Sequence, residues 1–356
     1  MEFDLFMEFA SPVLTEKHSA RTIVQVYEEN IELAKIADRE GFGAVWSAEH
    51  HFVGDYSNAA APEILLSAIA RETRQINLGF AILPLPLHEP VRVAEKLATL
   101  DALSGGRVLW GVGRGVTATE LGGFGIEMSD SRQIFKERFA QLQDILETGQ
   151  FVRDGETYEL RPRPESSLGK GWLAAVSPSS TDLAAELGLN LLTGPFKPWP
   201  MVRSDIKRYR KQSPEGQTSF TMAVYCERDH EAARRKAEPG IVWVYKRLLE
   251  FARPLLSKQI EGYEHYRKLA WIANLFSKSL SLSVLEKMGL AAVGSPEHVA
   301  KRMAILQKAG VDRVGLAIGG GDLSIEDTSR SVELIAREVM PKFQSAQVIP
   351  INAGAA

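Results

Sequence analysis

Short apolar runs alternate with longer stretches of helical periodicity along most of the chain, and this alternation limits the possible folds. Eight runs read as strands, at residues 2–9, 45–46, 76–83, 108–112, 172–176, 190–193, 219–226 and 313–318. Seven stretches between and after them carry apolar residues at helical spacing, at residues 22–39, 62–71, 91–103, 132–148, 179–187, 201–211 and 325–339. Repeated β-α units build parallel sheets. Eight such units predict a (β/α)8 TIM barrel, and a doubly wound open sheet is the alternative.

The composition is that of a soluble globular protein, and we expect one barrel domain over residues 1–356. Hydrophobic residues make up 45% of the chain and charged residues 24%, as in ordinary globular proteins. Lys and Arg number 42 against 45 Asp and Glu, which leaves a formal net charge of −3, so no nucleic-acid partner is expected. The single Cys226 cannot form an intramolecular disulfide. Without a basic leader or a membrane-spanning apolar run, we expect a cytoplasmic protein.

Two segments interrupt the repeat. A hairpin is predicted at residues 151–160, and a much longer connection, residues 229–290, separates the seventh strand from the eighth, where about 2–6 residues are usual. The longer segment carries aromatic residues at irregular helical spacing: Trp243, Tyr245, Phe251, Tyr263, Tyr266, Trp271 and Phe276. We predict a helical insertion at 229–290, which either packs as a small core of its own or covers the barrel mouth as a lid. The repeat resumes at Ser295, a predicted N-cap.

Ionisable residues crowd the end of the second strand, where Glu49, His50 and His51 follow its apolar residues. In a barrel of this type the reactive side chains sit at the C-terminal ends of strands. Neighbouring residues on an extended chain point to opposite sides, which disfavours two histidines as ligands of one metal ion. We therefore predict one inward, catalytic imidazole with its neighbours as supports, and a metal site is the alternative.

A phosphate site is predicted where the fourth and fifth strands end. Residues 113–115 read Gly-Arg-Gly, so that the backbone permits a close approach and Arg114 offers a bidentate partner. Residues 177–181 supply hydroxyls that cap a helix, and the same helix start attracts anions. Arg132, which opens the helix after strand four, adds a second guanidinium.

The glycine turn at 319–322, after strand eight, is the second candidate, although it contains no Arg or Lys.

Five motifs occur in order: Glu49-His50-His51-Phe52, Asn77-Leu78-Gly79-Phe80-Ala81-Ile82-Leu83-Pro84, Pro90-Val91-Arg92-Val93-Ala94-Glu95, Leu100-Asp101-Ala102-Leu103-Ser104-Gly105-Gly106-Arg107 and Gly113-Arg114-Gly115. Through them the chain resembles the bacterial luciferase-like flavin monooxygenases, from Met1 to about Leu192 and again from Gly294 to Pro341. The resemblance implies a (β/α)8 barrel that binds FMN in its reduced form, FMNH2. It further implies reaction with O2 to a flavin C4a-hydroperoxide, oxygenation of a small organic substrate, an NAD(P)H:flavin reductase as a partner, and a homodimer.

The resemblance also implies roles for individual residues. It makes His50 the catalytic acid/base, with Glu49 beside it, and it gives a set of cofactor-binding positions: Ala81, Arg114, Glu120, Arg132, Ser177 and Ser180. Luciferase has a non-prolyl cis peptide bond in its third strand, which would fall at Ala81-Ile82. Two positions depart from luciferase. Gly113 replaces a cysteine, which gives more room near the reactive ring and puts light emission and aldehyde specificity in doubt. Val176 replaces a glutamate, which removes a charge but keeps the backbone donor.

Two other functions remain open at this stage. One is a deazaflavin-dependent oxidoreductase of the same superfamily, which transfers hydride without oxygen. The other is a flavin-binding protein without catalysis. The sequence does not identify the substrate, because the residues expected to line its pocket belong to the insertion.

Overall fold

The computed structural model describes residues 1–12, 14, 21–115, 117–164, 168–194, 197–257 and 280–343. Its strands are β1 (Glu2–Met7), β2 (Ala44–Ser47), β3 (Asn77–Pro84), β4 (Val108–Gly113), β5 (Gln150–Arg153), β6 (Glu156–Glu159), β7 (Trp172–Ala174), β8 (Asn190–Thr193), β9 (Thr218–Cys226), β10 (Ala291–Gly294) and β11 (Arg313–Ile318). Among the described residues, eight parallel strands close in the order β1-β2-β3-β4-β7-β8-β9-β11, and β11 pairs back with β1. This closure confirms the predicted TIM barrel and excludes the open sheet.

The helices surround the barrel: α1 (Ile23–Arg39), α2 (Pro62–Glu72), α3 (Pro90–Ser104), α4 (Ala118–Gly123), α5 (Ser131–Thr148), α6 (Pro178–Glu186), α7 (Trp199–Gln212), α8 (His230–Ser257), α9 (Leu282–Lys287), α10 (Pro296–Lys308) and α11 (Ile325–Glu338). Their starts follow local chemistry. Thr22 caps α1 through a capping box with Gln25, and Ser295 caps α10 as predicted. None of the helices in the described ranges is long and apolar enough to cross a lipid bilayer.

The structure corrects two local expectations. The segment between the fourth strand and the helix predicted at 132–148, where the sequence predicts only a loop to Asp130, contains α4, which Thr117 caps by accepting a hydrogen bond from the Glu120 amide. Six residues that end in Gly122 and Gly123 give too short a helical pattern to recognise. The sequence analysis also missed β10, a four-residue strand that extends the edge of β9 beyond β8. The predicted hairpin around Asp154 is present as β5 and β6.

The insertion is described in part. Its first half is the 28-residue helix α8, and α9 precedes β10. Four of the aromatic residues named for this segment lie outside the described residues: Tyr263, Tyr266, Trp271 and Phe276. Within α8, Trp243 and Phe251 pack against Tyr56, with ring centroids 6.4 and 5.1 Å away. The described part of α8 therefore lies beside the C-terminal end of the barrel, and its role as a lid stays a prediction.

Alternate residues of β1 and the residue that follows it point into the barrel and fill it in layers. Asp4, at the bottom, accepts hydrogen bonds from Arg313 and from Trp46 Nε1. Phe6 lies in the middle layer, against the packed indoles of Trp46 and Trp172, whose ring centroids are 5.7 Å apart. Above this apolar floor Phe6 and Glu8 line a cavity. The charged bottom and the apolar middle thus fill the lower part of the barrel, and this cavity lies toward the C-terminal ends of the strands.

Candidate active site

The cavity at the C-terminal face encloses about 1430 Å³ of space, counted out to its open mouth. Its described lining includes every predicted site residue except Ser177, namely Glu49, His50, Ala81, Arg114, Glu120, Arg132 and Ser180. Between these polar groups the wall is mainly apolar, as in most sites for organic ligands. The structure therefore brings residues from the ends of several strands together, as the barrel topology predicts.

His50 points into the cavity between two carboxylates. Its Nδ1 donates to Oε1 of Glu120 at 2.9 Å, and its Nε2 lies 3.6 Å from Oε2 of Glu8. Burial by itself would lower the pKa of the imidazole, but the hydrogen bond to Glu120 and the charges of Glu8, Glu120 and Glu49 outweigh burial and raise that pKa to about 9. These groups therefore favour a protonated ring, in which Nδ1 is held by Glu120 and Nε2 faces the cavity.

Glu120 is fixed by several donors on α4 and the loop after β2. Besides His50, the hydroxyl of Thr117 and the backbone amide of His51 donate to its carboxylate. Burial raises the pKa of Glu120, but these hydrogen bonds outweigh it and hold the pKa below the usual range. The structure thus places Glu120, expected beside the flavin, in direct contact with the predicted catalytic histidine.

The side chains of Glu49 and His51, the predicted supports of His50, bond to each other. Oε1 of Glu49 lies 3.0 Å from Nε2 of His51 and 2.6 Å from Nε2 of His88. Burial raises the pKa of Glu49, and the two imidazole hydrogen bonds lower it overall. Glu49 lines the cavity and acts on His50 through its charge. No group of three or more His, Cys, Asp and Glu side chains in the described ranges is arranged to hold a metal ion.

The opposite side of the cavity carries hydrogen-bond donors. Arg114 follows β4, Arg132 is the second residue of α5, and Ser179 and Ser180 lie in the first turn of α6; all four line the cavity. Ser177 is the N-cap of α6 and exchanges hydrogen bonds with Ser180 in a capping box. The capping interpretation of these hydroxyls is therefore confirmed. Two guanidinium groups and a helix start are a donor set that suits a phosphate.

The wall between these two sides is built for close approach. A Cβ on Gly113 would lie 2.8 Å from Cδ1 of Ile82 and 3.5 Å from Cβ of Ala174, so glycine leaves space that a side chain would fill. The Ala81-Ile82 peptide bond is cis, as the resemblance predicts. Both Ala81 and Ile82 line the cavity, and this part of β3 therefore faces whatever the cavity binds.

The glycine turn after β11, the second candidate for phosphate, is already in contact with other parts of the protein. Arg21 donates to the carbonyl oxygens of Gly321 and Leu323. A Cβ on Gly240 of α8 would lie 2.6 Å from the carbonyl oxygen of Gly319, so the helix packs directly on the turn. The main cavity does not include this turn among its described lining residues, and the Arg114 side remains the candidate.

Sequence reasoning missed three residues of the site: Glu8, Tyr56 and His88. Glu8 follows β1 directly, so the rule that reactive residues follow strands could have found it, but the first strand was predicted to continue through residue 9. His88 lies two residues before Pro90, in the loop after β3, and gave no signal by itself. Tyr56 belongs to a short helical turn after β2, where no local pattern indicates a site.

The comparisons with known proteins agree with this architecture. The family model described as luciferase-like monooxygenase matches residues 1–313. Limonene 1,2-monooxygenase of Rhodococcus erythropolis is 28% identical, over 88% of this chain and 81% of that protein. The oxygenase component of a flavin-dependent trigonelline monooxygenase from Acinetobacter baylyi is 25% identical, over 98% of this chain and 97% of that protein.

Solved structures show the same fold at lower identity. The oxygenating constituent of 3,6-diketocamphane monooxygenase from Pseudomonas putida, solved with FMN, superposes with a TM-score of 0.76 at 20% identity, covering 97% of this chain and 99% of that one. An F420-dependent secondary alcohol dehydrogenase superposes with a TM-score of 0.69 at 16% identity, over 97% and 99%. Since the family model spans most of the sequence, the chain belongs to the luciferase-like monooxygenase family, a family of oxidoreductases.

Proposed function

We propose that the chain is the oxygenase component of a two-component monooxygenase, which uses reduced FMN and O2 to oxygenate a small organic molecule. The observation that carries this proposal is that one cavity joins a phosphate-suited side, at Arg114 and the start of α6, to a charged imidazole at His50. A flavin monooxygenase needs both functions within one flavin length. The related trigonelline enzyme is named as such an oxygenase component.

The residues of the cavity fit FMN. Arg114, Arg132 and the N-terminus of α6, with the hydroxyl of Ser180, would hold the phosphate, because their donors match its oxygens. Ser177, which does not line the cavity, would contribute through the capping box that holds this helix start. Ala81 and Gly113 lie on the wall between this side and His50, where a flat ring system would rest. Bound in its reduced form, FMN supplies the electrons that activate O2.

The chain itself would supply proton transfer and exclusion of water. His50 acts as the acid/base, since its raised pKa keeps a proton on the ring and Glu120 fixes the ring through Nδ1. Glu49 contributes a buried negative charge to the same region. Phe6 and Leu192 add apolar wall to the same cavity, which would keep bulk water from the reacting atoms.

We infer that a separate NAD(P)H:flavin reductase supplies FMNH2, because the related trigonelline enzyme is named as one component of a system. The family resemblance also supports a homodimer and a cytoplasmic location. Light scattering coupled to size-exclusion chromatography measures the oligomeric state. A monomer at the assay concentration would contradict the homodimer.

The test supplies FMN and a flavin reductase to the purified protein under 18O2, with a panel of small neutral organic compounds. We expect one labelled oxygen atom in a product, measured by mass spectrometry, and faster NAD(P)H and O2 consumption when that compound is present. Free flavin with the reductase but without this protein is the control. Tight FMNH2 binding without labelled product from any compound that the protein binds would support the non-catalytic alternative.

The F420-dependent relative in fold makes a deazaflavin enzyme the second candidate. Titrations with FMN, FMNH2 and F420 separate the two functions, since fluorescence reports the binding of each cofactor without turnover. We expect FMNH2 to bind at least as tightly as F420. Tight binding of F420 alone, with hydride transfer under nitrogen, would replace the monooxygenase proposal.

A further inference from the structure

Glu8 is held firmly at the edge of the cavity although no part of the proposed chemistry has used it. It follows the last residue of β1, and the Ser57 hydroxyl donates to its backbone carbonyl oxygen at 2.6 Å. The hydroxyl of Tyr56 donates to Oε1 of its carboxylate at 3.2 Å. The other oxygen, Oε2, is buried and makes no hydrogen bond to any described residue. That oxygen is directed toward Nε2 of His50, 3.6 Å away.

His50 lies among acidic groups, although Arg114 and Arg132 line the same cavity and Arg247 of α8 pairs with Asp55 beside Trp243. The charged groups that act most strongly on the ring are three carboxylates: Glu120 from α4, Glu8 after β1, and Glu49 from the segment of His50 itself. The ring of Tyr56 meets the imidazole edge to face at 5.4 Å, and behind it α8 presents Trp243 and Phe251, which are uncharged. This arrangement favours a positive ring.

The two nearest carboxylates contact the imidazole differently. The 2.9 Å contact between Nδ1 and Glu120 is a hydrogen bond, which fixes the tautomer and the ring plane. The 3.6 Å contact between Nε2 and Glu8 is longer than a hydrogen bond but short enough for strong attraction between charges. Burial raises the pKa of Glu8, whereas the charge of His50 and the Tyr56 hydrogen bond lower it in part. In its ionised form Glu8 attracts the charge on the ring without accepting the hydrogen on Nε2.

We propose that Glu8 is a positioning residue, which keeps a proton on Nε2 of His50 and leaves that N–H free to be donated into the cavity. In the donation step the N–H bond breaks, an O–H bond forms on an oxygen atom of the bound reactant, and the electron pair stays on Nε2. Solvent then returns a proton to the neutral ring. The inference deepens the proposed function and rests on it for the acceptor, whereas the control of His50 by Glu8 is a property of the protein alone.

The test is a pH titration of His50 by NMR in the protein without ligand. The protein has seven histidines, and the His50 signal is identified as the one that is lost in His50→Gln. The Glu8→Gln variant keeps the side-chain shape and removes the charge. We expect the pKa of His50 to fall by about one unit or more, because a charge at this range typically shifts a pKa by ~1–3 units. Glu63→Gln, which neutralises a carboxylate that pairs with Lys96 on the barrel exterior, is the control and should leave the titration unchanged.

A second variant keeps the test informative if Glu8→Gln does not fold. Tyr56→Phe removes the hydrogen bond that favours the charged form of Glu8, so the pKa of His50 should fall by a smaller amount. In the active enzyme, the pH at which turnover declines on the alkaline side should move down in the same order, from wild type through Tyr56→Phe to Glu8→Gln.

The outcomes separate this inference from the proposed function. An unchanged His50 titration in folded Glu8→Gln would overturn the role of Glu8, whether or not the enzyme oxygenates a substrate. A lowered His50 pKa in a protein that shows no oxygenation would support the role of Glu8 and count against the proposed function.

Discussion

Asp4 and Glu8, two acidic residues on the same face of β1 and its continuation, have different hydrogen-bond partners. Asp4, at the bottom of the barrel, is fully buried, and its carboxylate accepts from Arg313 at 2.7 and 2.8 Å and from Trp46 at 2.9 Å. Glu8, four residues later at the top, accepts from Tyr56 through one oxygen, and the other makes no hydrogen bond within the described residues.

The difference teaches how a barrel separates stability from chemistry. A buried charge whose partners are all satisfied is held in one state, and removing a partner leaves it uncompensated. A carboxylate with one oxygen left without a hydrogen bond beside an imidazole can instead act on the protonation of that ring. The bottom of β1 therefore belongs to the scaffold, and its top belongs to the site, as expected for the two faces of this fold.

The largest effect is expected at His50. In His50→Gln, oxygenation should fall by about 10²–10⁴-fold, the usual contribution of an acid/base, while FMN affinity changes little because the phosphate side is intact. Product formation and FMN titration measure the two quantities. His298→Gln, which removes an imidazole bonded to Glu286 far along the chain, is the matched control. Normal turnover by His50→Gln would contradict a role for His50, at the top of the barrel, in the reaction.

The bottom of the barrel should lose stability instead. Arg313→Met leaves Asp4 buried without its main partner, which costs about 3–5 kcal/mol, measured by urea unfolding. Arg330→Met breaks an ion pair with Asp327 whose Arg side chain is 70% exposed, and should cost far less stability than Arg313→Met. The comparison fails if His50→Gln destabilises the protein more than Arg313→Met does.

Binding should respond at the side of the cavity opposite His50. Arg114→Ala should weaken FMN binding by about 10-fold or more, because hydrogen bonds to charged groups contribute about 1.5–3 kcal/mol. Arg208→Ala, which removes a surface partner of Asp182, is the control and should bind FMN like the wild type. If fluorescence titration shows unchanged affinity in Arg114→Ala, the turn at Gly319 becomes the candidate phosphate site.

The smallest expected effect is the pH dependence of the wild type. The pKa of His50 is raised to about 9, so the imidazolium is present at neutral pH and is lost as the pH rises through that value. Turnover that needs this proton should be level between pH 7 and 8 and about tenfold lower at pH 10. A decline centred near the ordinary histidine value, about 6.5, would show that the carboxylates do not control the ring.

Much of the fold was predictable because each β-α unit carries its own pattern. Eight strands and their helices follow from local periodicity, and barrel closure follows from their number. Elements too short for a period were missed, such as α4 and β10. The insertion could be located from its length, but a pattern of irregular aromatics does not indicate that α8 would pack against Tyr56.

The site was predictable where one stretch of sequence held the signal. His50 and Glu49 share a strand end, and Arg114 lies in a glycine-rich run, so their types and positions were visible together. The contacts of His50 were not visible, because Glu8 and Glu120 come from different elements, and Glu120 lies 70 residues away from it. Only the closed barrel brings these groups together.

The packing of α8 against Tyr56 has a consequence for how such an enzyme can diversify. The carboxylates that act most strongly on His50 come from the first 120 residues, whereas α8 offers apolar surface beside Tyr56 and the cavity through Trp243, Leu248 and Phe251. Substitutions at these three positions can therefore reshape the apolar surface without changing the carboxylates that act on His50. Lineages with this architecture could acquire new substrates by altering one helix while inheriting the same proton chemistry.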